Sequence, residues 1–363
     1  MSESAADLLS PLTFTRGPAM KNRFMLAPLT NTQSHPDGTL SDEEYHWLVK
    51  RAAGGFGLTM TCAAHVQALG QGFPGQLGVF GDQHLEGLRR LSAGIKAHSS
   101  VAVVQLHHAG MRSPADLIGS APLCPSDDAE TGARALTDAE VAGLIEDFIG
   151  AAVRSEQAGF DGVELHGAHG YILSQFFSAR YNKRTDAYGG SVENRYRILF
   201  EIIDGIRARC GDNFNLGVRL SPERFGLHLP EVVDVATELM QGGQIDYLDM
   251  SLWDVFKEPG DPAYKGRSLM SYFTELDRGD TRLGVAGMIR KPEHAEAALN
   301  AGADWVMLGR AAILHHDFPD RYAAESTFVP AELPVTRAYL ANEGLSDRFI
   351  SYVKAGWPDY VAD

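Results

Sequence analysis

The sequence predicts an α/β fold, a single (β/α)8 TIM barrel, and three observations support that prediction. Apolar, strand-like runs alternate with helix-like stretches along the chain. These runs are apolar nearly throughout rather than at every second position, which is typical of parallel strands covered on both faces. The 363 residues contain no Pro/Ser-rich linker, low-complexity tract or charge block, so we expect residues 1–363 to form one domain.

Eight strands are predicted, and each ends where a helix-like stretch follows. In chain order they cover residues 22–27, 57–62, 101–106, 161–166, 215–220, 245–250, 282–287 and 304–309. The early segment "PLTFTRGPAMKN" (11–22) is expected to close the bottom of the barrel as a hairpin or loop. The long connections 107–136 and 251–268 are expected to be elaborated βα loops at the top, where barrels of this kind carry their active sites.

Residues typical of helix ends lie between these strands. Ser41 and Glu44 in "SDEE" fit a capping box, with Ser41 as the cap and Glu44 reaching back to it. "TDAE" at 137–140 is a second such start, followed by apolar residues at helical spacing. Gly54 and Gly242 each begin a Gly-Gly pair where a helix should stop.

Composition excludes several classes of partner. The formal net charge of -15 argues against nucleic acid and anionic membranes as partners, although a small anionic cofactor needs only local positive charge. No apolar run approaches the length of a membrane span, and the N-terminus lacks the pattern of a secretory signal. Cys62, Cys124 and Cys210 are widely spaced, which fits a reducing cytoplasm and argues against a cysteine-ligated iron–sulfur cluster. We therefore expect a cytoplasmic protein with a small-molecule substrate.

Three polar residues follow the fourth predicted strand in "ELHGAHGYILSQF" (164–176). His166, His169 and Tyr171 have three possible roles: hydrogen-bond donors to a substrate, metal ligands, or packed core residues. Core packing fits His166 alone better than all three, because each buried polar group would need a partner.

Zinc would need ligands that converge from several strands. Glu164, His107 and His108 are candidates, but no aspartate ends the eighth strand to complete a familiar set. The residues by themselves leave these alternatives open.

The seventh and eighth strands end in glycine and arginine. Gly287 follows the seventh, and Gly309 with Arg310 follows the eighth. Glycine lets backbone N–H groups approach a phosphate and arginine supplies a charged fork, at a position where such barrels often bind phosphate. Tight strand–helix turns would explain the glycines equally well.

The segment "HGAHGYILSQFFSARYNKRTDAYGGSVENR" (166–195) resembles the signature of the Old Yellow Enzyme family, the FMN-dependent ene-reductases. "RTDAYGGSVENR" is its most specific part, and the resemblance extends from "NRFMLAPLT" through "VVQLHHAG" and "GVRLS" to "GADWVMLGRA". It implies a TIM barrel that binds FMN non-covalently at the top of the strands and takes hydride from NADH or NADPH.

The resemblance also implies a set of cofactor-binding residues at the strand ends. They are Pro28, Thr30, Ala63, Gln105, Arg219, Gly287, Gly309 and Arg310. The first three would lie near flavin O4 and N5. Gln105 would pair with the pyrimidine edge, Arg219 would lie beside N1 and O2, and the last three would hold the phosphate. Many bacterial members carry cysteine where this chain has Thr30, so a role for Thr30 in tuning the flavin stays open.

For the substrate, the resemblance implies that His166 and His169 hydrogen-bond its carbonyl oxygen and that Tyr171 donates a proton. Physical chemistry agrees, because hydride addition to an enone places negative charge on that oxygen, which two N–H donors would stabilise. A phenol is protonated at neutral pH and can protonate the α-carbon. Trp253, in a loop unlike the family pattern, is a further substrate-binding candidate, or it packs that loop.

We therefore predict an NAD(P)H-dependent FMN oxidoreductase that reduces activated C=C bonds, with hydride from flavin N5, a proton from Tyr171 and no metal. One alternative is a flavin or quinone reductase, or a specialised oxidase, on the same barrel. Another is a non-catalytic flavin-binding protein. Barrels of this kind often pair, so a homo-oligomer is compatible with the sequence.

Overall fold

In the computed structural model, which describes residues 7–362, eight parallel strands close into a barrel. The strands are β1 (Phe24–Leu26), β2 (Leu58–His65), β3 (Val101–His107), β4 (Gly162–Gly167), β5 (Asn215–Leu220), β6 (Tyr247–Ser251), β7 (Arg282–Ala286) and β8 (Trp305–Leu308). Each pairs with its neighbour in the chain, and β8 returns to β1. All eight predicted strands and the TIM barrel are confirmed; that residues 1–363 form one domain stays a prediction.

Helices connect the strands and cover the barrel. Those between β1 and β8 are Asp42–Ala53, Leu85–Lys96, Ala115–Ile118, Asp138–Gln157, Ile172–Phe177, Val192–Arg209, Leu229–Gln241, Ser271–Thr274 and Pro292–Asn300. After β8 come Arg310–Leu314, Phe318–Ala324, Arg337–Asn342 and Asp347–Gly356. None of the helices described between residues 7 and 362 is both long and apolar enough to cross a membrane.

The helix boundaries follow the predicted caps, with one correction. Thr137 and Glu140 form a capping box, and Gly54 and Gly242 directly follow their helices, as predicted. Ser41 also caps its helix, accepting from the backbone N–H of Glu44 at 3.0 Å. The Glu44 side chain does not reach back, so that part of the prediction is wrong. It is fully buried and accepts hydrogen bonds from Asn31 and Ser34 instead, and burial raises its pKa.

The segment before β1 closes the bottom of the barrel, as predicted. Leu12 and Met20 pair as an antiparallel bridge. Between them Phe14 packs against Tyr247 and Trp305, with ring centroids 5.8 and 5.7 Å apart. Because these two aromatic residues begin β6 and β8, Phe14 covers the amino ends of the strands, and the opposite end is left for the long loops.

Two glycines make room for large side chains inside the barrel. A Cβ on Gly217 would lie 2.0 Å from the ring of Tyr247. A Cβ on Gly284 would lie 2.2 Å from Oδ1 of Asp249 and 2.5 Å from the indole of Trp305. The interior of the barrel is therefore filled by long side chains from β6 and β8 that lie over glycines of β5 and β7.

The two long connections are elaborated, as predicted. Residues 107–136 contain the short helix Ala115–Ile118 and a small sheet in which Leu123–Cys124 pairs with Arg134–Ala135. Residues 251–268 contain the 3₁₀ helix Pro262–Tyr264. Both connections leave the carboxyl ends of barrel strands.

Candidate active site

A cavity lies at the carboxyl ends of the strands and brings together eight of the residues predicted from sequence. They are Pro28, Thr30, Ala63, Gln105, His166, His169, Tyr171 and Arg219. They come from strands and loops that are far apart in sequence, and the closed barrel places them around one space.

The two histidines are hydrogen-bonded to each other. Nε2 of His166 lies 2.8 Å from Nδ1 of His169, and Nε2 of His169 lies 2.7 Å from the hydroxyl of Ser251. The backbone N–H of His169, a residue with φ of +63°, donates to Ser221. Burial lowers the pKa of His166 well below its ordinary value and that of His169 to about 3. The pair is therefore neutral at pH 7. In this arrangement the hydrogen bond between the rings occupies one nitrogen of each histidine.

Tyr171 lies beside this pair, immediately before the short helix Ile172–Phe177. Its ring meets those of His107 and His166 edge to face, with centroids 4.4 and 5.0 Å apart. Burial raises the pKa of the phenol, while the guanidinium of Arg112, 4.7 Å from the ring centroid, acts in the opposite direction. Tyr171 is therefore protonated at neutral pH and able to donate.

The proposed zinc ligands do not converge on the histidine pair. Glu164 accepts from Nε2 of Gln105 at 2.7 Å, inside the barrel. The rings of His107 and His108 are hydrogen-bonded to Gln76 and Gln67. At least one polar atom of each thus has another partner, none of the three lines the cavity of the histidine pair, and the geometry gives the zinc alternative no support.

Arg219 and Gln105 form the polar wall of the cavity. Arg219 is 5% exposed, and its Nε has no hydrogen-bond partner among the described residues. A buried guanidinium without an acceptor is costly, so it suits a bound group that presents oxygen or nitrogen acceptors there. Gln105 has one amide N–H committed to Glu164, which leaves its carbonyl and second N–H for a ligand.

One of the three predicted phosphate residues, Arg310, lines a neighbouring cavity. Arg310 lines it together with Arg290, which the sequence reasoning missed, and Trp357 borders both cavities. The two guanidinium groups converge on the sulfur of Met288, at 2.8 and 3.4 Å. Neither arginine has a carboxylate partner among residues 7–362, so both charges are available to an anion.

The two glycines of that predicted set line neither cavity, but one of them permits a close approach. Gly287 has φ of +148°, and a Cβ there would lie 2.7 Å from the backbone nitrogen of Asp254. A Cβ on Gly309 would touch Leu29 at 3.4 Å, which is ordinary contact. Gly287 is thus required by the packing of the loops after β6 and β7.

The sequence reasoning also missed several apolar residues of the first cavity. They are Leu29, Phe73, Ile313, Tyr352 and Trp357. The last two belong to the C-terminal segment "YVKAGWPDY", whose density of aromatic residues was the one available signal. Nothing in the local pattern indicated that this segment returns to the top of the barrel.

Trp253 is not among the residues that line the cavity of the histidines. Its side chain is 49% exposed, and the guanidinium of Arg224 lies 4.1 Å above its ring. It lines a separate surface cleft together with Glu223 and Lys257. The expectation that Trp253 covers the substrate thus has no contact to support it in this arrangement.

Known proteins resemble this chain over most of its length. The model of the NADH:flavin oxidoreductase / NADH oxidase family matches residues 7–327. The probable NADH-dependent flavin oxidoreductase YqiG of Bacillus subtilis (strain 168) is 35% identical over 321 residues, which are 85% of this chain and 86% of that protein.

Solved structures agree. The Old Yellow Enzyme homologue from Zymomonas mobilis superposes with a TM-score of 0.81 at 27% identity, covering 94% of this chain and 99% of that one. 2-Naphthoyl-CoA reductase, in complex with 2-naphthoyl-CoA, has a TM-score of 0.78 at 27% identity. The match covers 88% of this chain and 52% of that longer protein.

Proposed function

The chain belongs to the NADH:flavin oxidoreductase / NADH oxidase family, and on that premise we propose that it reduces the activated C=C bonds of enones and related electron-poor alkenes. It is an oxidoreductase of the Old Yellow Enzyme type, with FMN as cofactor and NADH or NADPH as hydride donor.

The residues of the cavity fit FMN. Pro28, Thr30 and Ala63 supply one wall for the flavin ring, and Gln105 and Arg219 offer donors to its polar edge. When bound, FMN supplies the hydride chemistry, because it accepts hydride from the nicotinamide and delivers it to the alkene.

The phosphate of FMN would be held in the neighbouring cavity. Arg310 and Arg290 would bind it there as two unpaired guanidinium groups, and guanidinium is the side chain best suited to phosphate. Gly287 would contribute through the close packing of its loop against the loop after β6, and Gly309 as the residue that precedes Arg310.

His166 and His169 would bind the carbonyl oxygen of the substrate. Their bond of 2.8 Å must first open, which requires one ring to rotate so that each offers an N–H to the same oxygen. Because both rings are neutral, they would stabilise the negative charge that develops on that oxygen by hydrogen bonding rather than by a full opposite charge.

Tyr171 would hold the proton that the α-carbon receives. Burial keeps the proton on its Oη at neutral pH. Arg112 holds the loop in place, since it donates to the carbonyl of His169 at 2.6 Å while lying over the Tyr171 ring. The same positive charge would stabilise the phenolate that remains after proton transfer.

The observation that carries the proposal is the convergence of His166, His169 and Tyr171 on one cavity with Arg219, whose Nε has no hydrogen-bond partner in the described part of the chain. The test uses FMN-loaded protein, reduced without oxygen by one equivalent of NADH or NADPH and then mixed with 2-cyclohexenone or a quinone. We expect both to reoxidise the wild type. Tyr171→Phe should slow the enone reaction about 10²-fold or more and leave the quinone reaction unchanged.

Tyr352→Phe is the matched control, because Tyr352 lines the same cavity but is given no proton to transfer. A wild type that no enone, nitroalkene or quinone can reoxidise would refute the proposal. Full enone turnover by Tyr171→Phe would favour the flavin or quinone reductase instead.

A further inference from the structure

Two carboxyl groups lie inside the barrel without the partners that buried charges need. Glu164 on β4 and Asp249 on β6 are both 0% exposed. Oε2 of Glu164 and both oxygens of Asp249 have no hydrogen-bond donor among the described residues. Neither side chain forms one of the ion pairs found between residues 7 and 362. Two ionised carboxylates in this position would be strongly unfavourable.

The strand register brings these two side chains together across β5. Glu164 is level with Gly217, which has no side chain, and Asp249 is level with Arg219. The Asp249 carboxyl lies over Gly284. Burial, followed by the charge of the nearby Glu164, raises the pKa of Asp249 well above its ordinary value.

The other charged or titratable groups that face this site do not supply a second counter-charge. Arg219 is near enough to favour ionisation of Asp249, but its influence is smaller than that of burial and of Glu164. The phenol of Tyr247 is buried, and its pKa is raised well above the usual value. Asp246, farther down, is already paired with Arg16 and Arg207. Within residues 7–362, one cation therefore faces two carboxyl groups.

We propose that Glu164 and Asp249 share one proton, held by Asp249 and donated to Oε2 of Glu164, so that the pair carries a single negative charge inside the barrel below the FMN site. This single charge balances that of Arg219. Through Oε1, at 2.7 Å from Nε2 of Gln105, it also orients the Gln105 amide. Glu164 and Asp249 are then positioning residues that set the charge and the hydrogen-bonding pattern met by the flavin. The inference depends on the proposed function only in requiring that the protein binds FMN.

Isosteric variants distinguish one charge from two. In Glu164→Gln, Asp249 would become the ionised partner, and in Asp249→Asn, Glu164 would remain ionised. Each single variant should therefore bind FMN with the wild-type midpoint potential. The double variant loses the negative charge. Its midpoint potential should rise by the amount that corresponds to about tenfold tighter binding of reduced FMN relative to oxidised FMN, as expected for a unit charge at a partly screened distance. If Asp249→Asn or Glu164→Gln alone raises the potential by about half as much as the double variant does, both carboxylates are ionised in the wild type and the proposal is wrong.

Infrared spectroscopy provides a second test that does not depend on how the double variant folds. The wild type should show the C=O stretch of a protonated carboxyl, and Asp249→Asn and Glu164→Gln should each lose it. Glu44→Gln is the control, because Glu44 is another buried carboxyl whose pKa is raised, and its loss should leave the Asp249 band in place. Absence of that band from the wild type would also overturn the proposal. Neither measurement uses an enone, so failure of the proposed reaction would be seen separately.

Discussion

Replacement of the two histidines, singly and together, is expected to weaken phenolate binding by amounts that do not add. An electron-rich phenol should bind above oxidised FMN as its phenolate, with the oxygen held by His166 and His169. Each histidine would contribute one charge-assisted hydrogen bond, worth about 2 kcal/mol. Binding must first break the bond of 2.8 Å between the rings, which costs about 1 kcal/mol. The net contribution of the pair is then about 3 kcal/mol.

A single variant loses one bond to the phenolate but no longer has to break the bond between the rings. His166→Ala or His169→Ala should therefore cost about 1 kcal/mol, or roughly fivefold in Kd, and the double variant about 3 kcal/mol, or on the order of 10²-fold. Independent donors would instead give about 2 kcal/mol for each single variant and about 4 kcal/mol for the double variant. The amount by which the cost of the double variant exceeds the sum of the two single costs is the coupling energy of the bond between the rings.

The assay is titration of FMN-loaded protein with 4-methoxyphenol, followed by its long-wavelength charge-transfer band at several pH values. Binding should strengthen as the pH approaches the pKa of the phenol, because the donors favour the anion. His316→Ala, outside the barrel and paired with Glu343, should leave affinity and colour unchanged. Additive losses would show that the rings do not share a bond in solution. Unchanged affinity in the double variant would show that the pair has no role in ligand binding.

Three further predictions follow from the packing and charge of the site. Arg112→Met should raise the pKa of Tyr171, which would shift its ultraviolet tyrosinate absorbance to higher pH, and should slow enone reduction severalfold. Arg112→Lys should restore most of the pKa and most of the rate. A tyrosinate titration that is unchanged in Arg112→Met would exclude the charge effect. Gly287→Ala should destabilise the protein by about 1–3 kcal/mol or more and weaken FMN binding, because φ is +148° and the new Cβ meets backbone at 2.7 Å. Gly243→Ala, also at positive φ but with nothing within 4 Å, should keep FMN affinity, and equal effects on FMN would refute the packing argument. Burial lowers the pKa of His65 to about 4 and of His108 to about 3. Below about pH 6.5, the ordinary pKa of histidine, these two residues therefore bind more protons in the unfolded chain than in the folded protein. Their contribution to stability is present above about pH 6.5 and is lost as the pH falls. Each should contribute up to about 1.4 kcal/mol per pH unit, and a urea midpoint that is the same at pH 8 and pH 5 would contradict this.

Much of the architecture could be predicted because its causes are local. A run such as 215–220 is apolar throughout because a parallel strand in a barrel is covered on both faces, and that character is visible in the residues themselves. Thr137 with Glu140 marks a helix start because the bonds of a capping box span only three residues. The histidines and Tyr171 were found for a similar reason, since all three lie within one short motif at the end of a strand.

Other predictions failed or were missed because the deciding contacts join distant parts of the chain. Glu44 fits the local pattern of a capping residue, but Asn31 and Ser34 offer its carboxyl buried donors, and it binds those instead. Tyr352 and Trp357 reach the cavity only because the segment after β8 folds back over the top of the barrel.

The sequence by itself determined the eight strands, the closure of the barrel bottom by residues 11–22 and the chemical types of residue at the strand ends. Only the tertiary structure decided how those side chains pair. His166 and His169 bond to each other in a loop whose backbone has a positive φ at His169, a conformation that the residue types alone do not indicate. Glu164 and Asp249 come close because the register of β4, β5 and β6 places Glu164 level with Gly217 and Asp249 level with Arg219, two residues farther along β5. Strand formation depends on periodicities a few residues long, whereas these pairings depend on register and closure, which arise only when the whole barrel assembles.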